Sequence, residues 1–423
     1  MTGILLELRR GPGRWLAVPL ALLGVVATEN ALPSGTAIWS LAVSALSNSV
    51  QLMGPVAAAA AAFAGARSRR RGTETMELLA DRSPSAAAVS ELIALAAWVL
   101  VAYVATVAVV FTQTALSATW SGPDLARTTV TGVGLLLQVA LGYVVGRLVP
   151  RRLTPLAVAI FFYVLTIYGS TARSGYRWSL LLPVNLNIYD FFTRVNQAVT
   201  VGQLLWYPGA AVVVVTGWAL RRRESTRVML GSLAAGAVAA ICGAAVILAQ
   251  DGRALQPGFV VNWQCEGQAP QLCLHPAVRA ARPALAAQID PIAARLAGTP
   301  FALSRVEQRP RGPGSIPSPG AVAFGLDDTR PESVRLAGQD VAVNAFGFQD
   351  NCFTDNGPKD GYFLAQLLAS WALGDVSSFI AGTPAETAAQ SWLAARVGGE
   401  RRAWLTKKAS VIRSCELTAS DFR

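Results

Sequence analysis

Charge is what this sequence has least of. Charged residues make up 14% of its 423 residues, against about 25% in ordinary soluble proteins. Hydrophobic residues reach 53%, and mean hydropathy is +0.42. This scarcity excludes a soluble or disordered chain as the starting assumption and points to a membrane protein. Histidine is reduced to His275 alone, which excludes the His-Glu-x-x-His arrangement of the common zinc proteases. No Gly-x-x-x-x-Gly-Lys-Ser/Thr sequence occurs, so any ATP hydrolysis linked to this protein must reside on another chain. The acids Asp327 and Asp328, and Asp350, Asp355 and Asp360, do not follow the twelve-residue calcium loop and read as solvated loop residues. Lysine is confined to Lys359, Lys407 and Lys408, leaving Arg as 33 of the 36 basic residues. With abundant Ala, that bias suggests a GC-rich bacterial genome and carries no mechanism.

What is present is a series of seven apolar runs, near residues 15–28, 38–66, 92–112, 131–149, 153–168, 202–220 and 228–248. Most approach the 17 to 25 residues that a helix needs to cross about 30 Å of hydrocarbon. The first is short, follows Arg9, Arg10 and Arg14, and reads either as a span or as a secretory signal. The net charge of +11 is concentrated here: residues 1–250 carry 19 basic and 9 acidic residues, and residues 251–423 carry 17 and 16. The basic residues lie in clusters between runs, a pattern made by the preference of Arg and Lys for cytoplasmic loops rather than by a groove for nucleic acid. With a cytoplasmic N-terminus, 15 of the 19 fall inside and only Arg127, Arg173, Arg177 and Arg194 fall outside. The inverted topology reverses this ratio. Seven spans then place residues 251–423 across the membrane from the cytoplasm.

Trp206, Tyr207 and Trp218 stand at the two ends of the sixth run, as rings at both headgroup levels would. Gly142 and Gly146 form a Gly-x-x-x-Gly pair, a weak signal for close helix approach. Residues 171–200 are aromatic and apolar but interrupted by Asn185, Asn187, Asp190 and Arg194, consistent with a pair of short helices at the outer interface.

Between the second and third runs, Thr73 caps a short predicted helix ending at Asp81. Met76, Leu78 and Leu79 give it an apolar side, and Glu74, Glu77 and Asp81 an acidic one. Pattern alone leaves open an interface helix or a docking helix. The segment Arg69-Arg-Arg-Gly-Thr-Glu-Thr-Met-Glu-Leu-Leu-Ala-Asp-Arg-Ser-Pro84 resembles the one that follows the second span in ABC-2 type transporter permeases, and with six spans the resemblance covers about residues 1–227. It implies an all-α polytopic membrane bundle in which Gly72, Thr73, Glu74, Glu77, Leu78, Leu79 and Asp81 form the coupling helix that contacts an ABC ATPase subunit. It further implies ATP and Mg²⁺ bound by that ATPase, no cofactor on this chain itself, a homodimer or a heterodimer with a second permease, and an unidentified cargo. Residues 171–200 resemble the family's outer re-entrant helices. The seventh run, 228–250, and the long tail are additions to the family's usual unit.

The tail, residues 251–423, is long enough for an α+β domain of its own, with an exposed loop at Arg309 to Gly320. Residues 276–297, 361–374 and 385–397 read as helices, and 321–324 and 341–348 as strands. Four of the five cysteines lie here: Cys265, Cys273, Cys352 and Cys415. On the oxidising side of a membrane they predict two disulfides, Cys265 with Cys273 and Cys352 with Cys415 being the favoured pairing. Cys265-x₇-Cys273-x-His275 could instead begin a zinc site, or His275 could cap the helix that follows. Cys242, in the seventh run, reads as a buried small thiol.

The leading expectation is a permease subunit of an ATP-driven exporter in a bacterial plasma membrane. A membrane-anchored extracytoplasmic binding or sensor protein is the alternative, and a tethered hydrolase ranks third.

Overall fold

The computed structural model describes residues 2–11, 13–32, 38–70, 72, 84–117, 122–171, 177–183, 192–221, 227–257, 263–310, 318–326, 328–348, 359–376, 380–396, 398–414 and 416–422. The chain divides into two compact units, one made by Met1–Pro33 and Ala37–Gly258 and the other by Phe259–Arg423 with Ser34–Thr36.

The first unit is helical. It contains α1 (Thr2–Arg10), α2 (Gly13–Ala31), α3 (Trp39–Gly65), α4 (Pro84–Ser117), α5 (Leu125–Leu148), α6 (Thr154–Thr171), α7 (Gln197–Leu220) and α8 (Arg227–Leu248). Five of these, α3, α4, α5, α7 and α8, are long and apolar enough to cross a membrane; α6 is a shorter apolar helix. Each apolar run of the sequence lies in one helix. The first run does not stand apart: Ala17 and Leu20 of α2 are buried in a cluster with Val50, Met53, Leu95 and Val99.

Helix α3 is central, with 78% of its most apolar stretch buried, against 22% for α8. Its neighbours reach it through small residues. A Cβ on Gly142 would collide with Ala58 O, one on Gly146 with Ala62 O, and one on Gly65 with Tyr143 O, so α3 and α5 touch backbone to backbone. The Gly-x-x-x-Gly pair is therefore half of an interface whose other half is the alanine row of α3. Helices α7 and α8 repeat the device at heptad spacing: a Cβ on Gly209 would lie 2.7 Å from Gly236 O, and one on Gly243 2.6 Å from Gly202 O. Lipid gives helices no hydrophobic drive to associate, so dispersion at close range has to hold them together.

In the stretch 171–200 the described residues include a 3₁₀ turn, Arg177–Leu181, and a strand, β1 (Thr193–Val195); residues 172–176 and 184–191, on which most of the predicted pair of short helices falls, lie outside the described residues. β1 pairs antiparallel with β2 (Leu255–Pro257) just after α8, a long-range partner that local periodicity does not reveal. Cys242 is exposed on α8 rather than buried, because α8 lends the bundle only its glycine face.

The second unit is an α+β domain. Strands β3 (Gln264–Glu266), β4 (Gln271–Leu274), β5 (Arg305–Gln308) and β6 (Ala321–Phe324) form a sheet in that order. β3 and β4 are antiparallel, whereas β4, β5 and β6 are parallel. Helix α9 (Arg282–Leu296) connects β4 to β5, and α10 (Pro331–Asn344), α11 (Lys359–Leu373), α12 (Pro384–Ala395), α13 (Gly398–Lys407) and α14 (Ala409–Arg413) follow the sheet. The predicted strand at 341–348 is wrong: Val341 to Asn344 end α10. Read from Pro331 at the helix start, the buried positions Val334, Ala337, Gly338, Val341 and Ala342 keep a helical period; the shorter window hid it.

Candidate functional site

Membrane spans carry few polar side chains, and here they gather at the two ends of α5. At one end the N-cap Asp124 accepts from the backbone N–H of Arg127 at 2.9 Å, which starts the helix. The Arg127 side chain is then carried into the bundle, where it is 3% exposed. Its Nη1 donates to Gln203 Oε1 of α7 at 2.6 Å. Gln203 Nε2 donates in turn to Leu180 O at 2.8 Å, Trp206 Nε1 to Leu181 O at 2.8 Å and Tyr207 Oη to Leu182 O at 2.7 Å. One face of α7 thus takes three successive carbonyls of the turn around Arg177–Leu181 and fixes that turn over the helix ends. Below it Ser47, Val50, Arg127, Val130, Thr131, Pro183 and Tyr207 line a cavity of about 10 Å³.

At the other end of α5, Arg147 is paired. Its Nη2 lies 3.3 Å from Glu91 Oε2 of α4 and donates to Tyr143 Oη at 2.9 Å, while Tyr143 Oη donates to Glu91 Oε2 at 2.7 Å. The guanidinium also faces the rings of Tyr143 and Trp218, 5.4 and 5.9 Å from their centroids. Three helices are locked together here. Nearby, Arg70 donates to Arg151 O, which ties the short helical stretch after α3, Arg67–Arg70, to the turn between α5 and α6.

Between the two ends, along the α3–α5 contact, Ser47 and Thr131 share a hydrogen bond of 3.1 Å. Gln138, fully buried against Gly54, has neither its Oε1 nor its Nε2 hydrogen-bonded. An amide left unpaired in an apolar interior costs about 1–3 kcal/mol by mutational measures. Sequence reading singled out none of Arg127, Gln138, Gln203 or the Glu91–Arg147 pair as a site. The available signal was an Arg standing inside an apolar segment just after a helix-starting Asp.

Of the predicted coupling residues only Gly72 is described. It has φ +68°, with no atom within 4 Å of a Cβ there, so the glycine serves the left-handed turn that ends the helical stretch after α3 rather than a close contact. Thr73, Glu74, Glu77, Leu78, Leu79 and Asp81 lie outside the described residues.

In the C-terminal domain Cys265 and Cys273 form a disulfide between directly paired positions of β3 and β4. Cys352 and Cys415 lie outside the described residues. The disulfide removes the two thiolates that a zinc site with His275 would need, and among the described residues no cluster of metal-binding side chains occurs. His275 is instead the cap that was the other expectation: its Nδ1 accepts from Ala277 N at 3.1 Å, and its own N–H donates to Gln308 Oε1 at 2.9 Å. Burial lowers its pKa to about 4. Burial would raise the Glu307 carboxyl, but Arg309 at 2.6 Å and the Ser318 amide at 3.1 Å outweigh it and hold it below the usual range. Asp328 is held down in the same way against burial by Arg330. These groups brace the strand ends and offer no nucleophile with a base. A concavity of about 840 Å³ lies between the β3–β4 turn and α9, with Pro270, Leu272, Arg282, Ala286, Ile289 and Asp290 in its lining.

Comparison with protein families, with curated proteins and with solved structures finds no match to this chain. It is a multi-span helical membrane protein with a distinct C-terminal domain, and no comparison ties it to ABC-2 permeases.

Proposed function

We propose that this chain is the permease subunit of an ATP-driven exporter, driven through residues 72–81 by a separate ABC ATPase that binds ATP and Mg²⁺. The observation that carries the reading is where those residues attach. They join α3, the most buried long helix, to α4, and the stretch before them is tied by Arg70 to the turn after α5. A push on this segment is delivered to α3 directly and to α5 through the glycine contact, so the central crossing of the bundle moves first. Counting α2 and α6 with the five longer helices gives seven spans. The partition of Arg then puts the coupling segment in the cytoplasm and the C-terminal domain outside, where a disulfide forms and persists. A second copy of the chain or a second permease completes the membrane unit, and the cargo is unidentified.

The test is recovery of an ATPase with the tagged full-length chain from its native membranes, together with cargo-independent ATP hydrolysis. Leu78→Ala with Leu79→Ala, and separately Glu74→Arg with Glu77→Arg, are expected to reduce recovery and hydrolysis at least tenfold while the Cys265–Cys273 disulfide is retained. Wild-type recovery with both variants contradicts the coupling role. The groove of about 840 Å³ beside α9 favours a second reading, a membrane-anchored binding or sensor protein, which gains if no ATPase is recovered.

A further inference from the structure

Four charges meet at the end of the bundle that the partition of Arg places in the cytoplasm, and they balance. Arg147 of α5 lies 3.3 Å from Glu91 of α4, and Tyr143 donates to the same carboxylate oxygen at 2.7 Å. Arg67, in the short helical stretch after α3, and Glu7 of α1 also act electrostatically on Glu91. Trp218 of α7 faces the Arg147 guanidinium, 5.9 Å from its ring centroid. Helix α1 is held against α4 by Trp98, whose Nε1 donates to Leu8 O at 3.0 Å.

This group differs from a permanent brace in two ways. Water is near it: the Glu91 side chain is 20% exposed, and Arg147 stands four residues before the exposed Arg151 and Arg152. A small separation of α4 from α5 hydrates both charges, so opening strands neither of them in an apolar interior. The chain also approaches it from both sides. Residues 72–81 follow the Arg67–Arg70 stretch and return at Pro84, about two helical turns before Glu91. We infer that Glu91, Tyr143 and Arg147 form a latch that holds these ends of α4 and α5 together, and that movement of residues 72–81 opens it. The three are positioning residues, since each acts through the helix that carries it. The inference rests on the permease reading for what opens the latch, and not for the latch itself.

Hydrogen exchange of the purified full-length chain in detergent, read by mass spectrometry, tests the latch with no ATPase present. Glu91→Gln keeps Arg147 charged without its carboxylate, and Arg147→Met keeps Glu91 charged without its guanidinium, so closing buries an unbalanced charge in either variant. Each should exchange residues 85–92 and 141–148 at least about tenfold faster than the wild type, with residues 125–132 unchanged. Glu91→Gln combined with Arg147→Met restores the balance and should close again, to within about threefold of the wild type. A brace that acts by packing alone would make the double variant exchange at least as fast as either single one. That result, or wild-type exchange in Glu91→Gln, would overturn the latch. If the single variants do not fold, Glu91→Asp decides: it keeps the charge but withdraws it by one methylene, and should exchange the same residues about threefold faster, whereas unchanged exchange would overturn the latch. Where an ATPase is recovered with the wild type, Glu91→Gln should leave its recovery unchanged and raise kcat for ATP hydrolysis at an unchanged KM, because the latch no longer resists opening. A lowered or unchanged kcat would overturn the link to residues 72–81. Recovery of no ATPase with the wild type would overturn the permease reading, and the exchange of the double variant would still decide the latch.

Discussion

Where α3 crosses α5 in the membrane unit, Gly65, Gly142 and Gly146 meet backbone oxygens. Where α9 lies in the C-terminal domain, Leu285, Ile289, Ile292 and Leu296, each at most 1% exposed, fill the interior with large side chains. The solvent explains the difference. In water, burying a Leu or Ile side chain is worth about 1.5–3 kcal/mol, so the aqueous domain is held by the size of what it buries. Lipid is as apolar as Leu, so the bundle is held by how near its backbones come. Polar groups do not divide in this way: the domain surrounds Glu307 with Arg305, Arg309 and Ser318 but leaves the Trp392 indole N–H without a hydrogen bond, as the bundle leaves the Gln138 amide.

The sharpest way to break this contrast is to add bulk to the bundle. Gly142→Leu forces α3 away from α5 and is expected to cost about 3 kcal/mol or more, at the upper end of overpacking effects. Gly217→Leu, on a helix position with nothing within 4 Å, should cost almost nothing. Unfolding of the purified protein in mild detergent measures both, and equal effects would show that close approach is not what holds the helices. Acid should act on the domain next. The His275 pKa is lowered to about 4 from an ordinary 6.5, so its contribution is fully present above about pH 6.5 and is lost as pH falls toward 4, by up to about 3 kcal/mol. Glu307 and Asp328, held below their usual range, add their losses only at still lower pH. His275→Asn, which keeps an oxygen for the cap, should flatten the first part of the stability–pH profile and leave the second. Smaller again is reduction of the Cys265–Cys273 disulfide. With a sequence separation of 8, it closes a short loop and should be worth about 2.5 kcal/mol. Denaturant midpoints with and without reductant measure it, and the α3–α5 crossing should be indifferent to it.

How legible each unit was in the sequence follows from the same physics. Apolar length survives translation into structure because a span has to be apolar throughout, so each run lies in a helix and Gly142 with Gly146 marked a real contact. The partners were not legible. Ala58 and Ala62 look like filler until Gly142 and Gly146 are opposite them, and β1 has no meaning until β2 arrives 60 residues later. In the domain, 341–348 failed as a strand because the helical period begins at Val334, whereas the Cys265–Cys273 bridge was readable because a short loop brings its ends together cheaply. Arg127 escaped because it counted as one of four outer basic residues, and charge counting does not distinguish a solvated Arg from one drawn into the bundle.

The contrast between the units requires that they meet different solvents, with the orientation expected from the Arg partition: residues 72–81 in the cytoplasm and residues 251–423 outside. Protease protection of the full-length chain in right-side-out and inside-out membrane vesicles tests this directly. The expected result is that added protease digests the C-terminal domain only in right-side-out vesicles and cuts within residues 72–81 only in inside-out ones. Digestion of the C-terminal domain in inside-out vesicles alone would contradict the orientation, the setting of the disulfide and the coupling segment together.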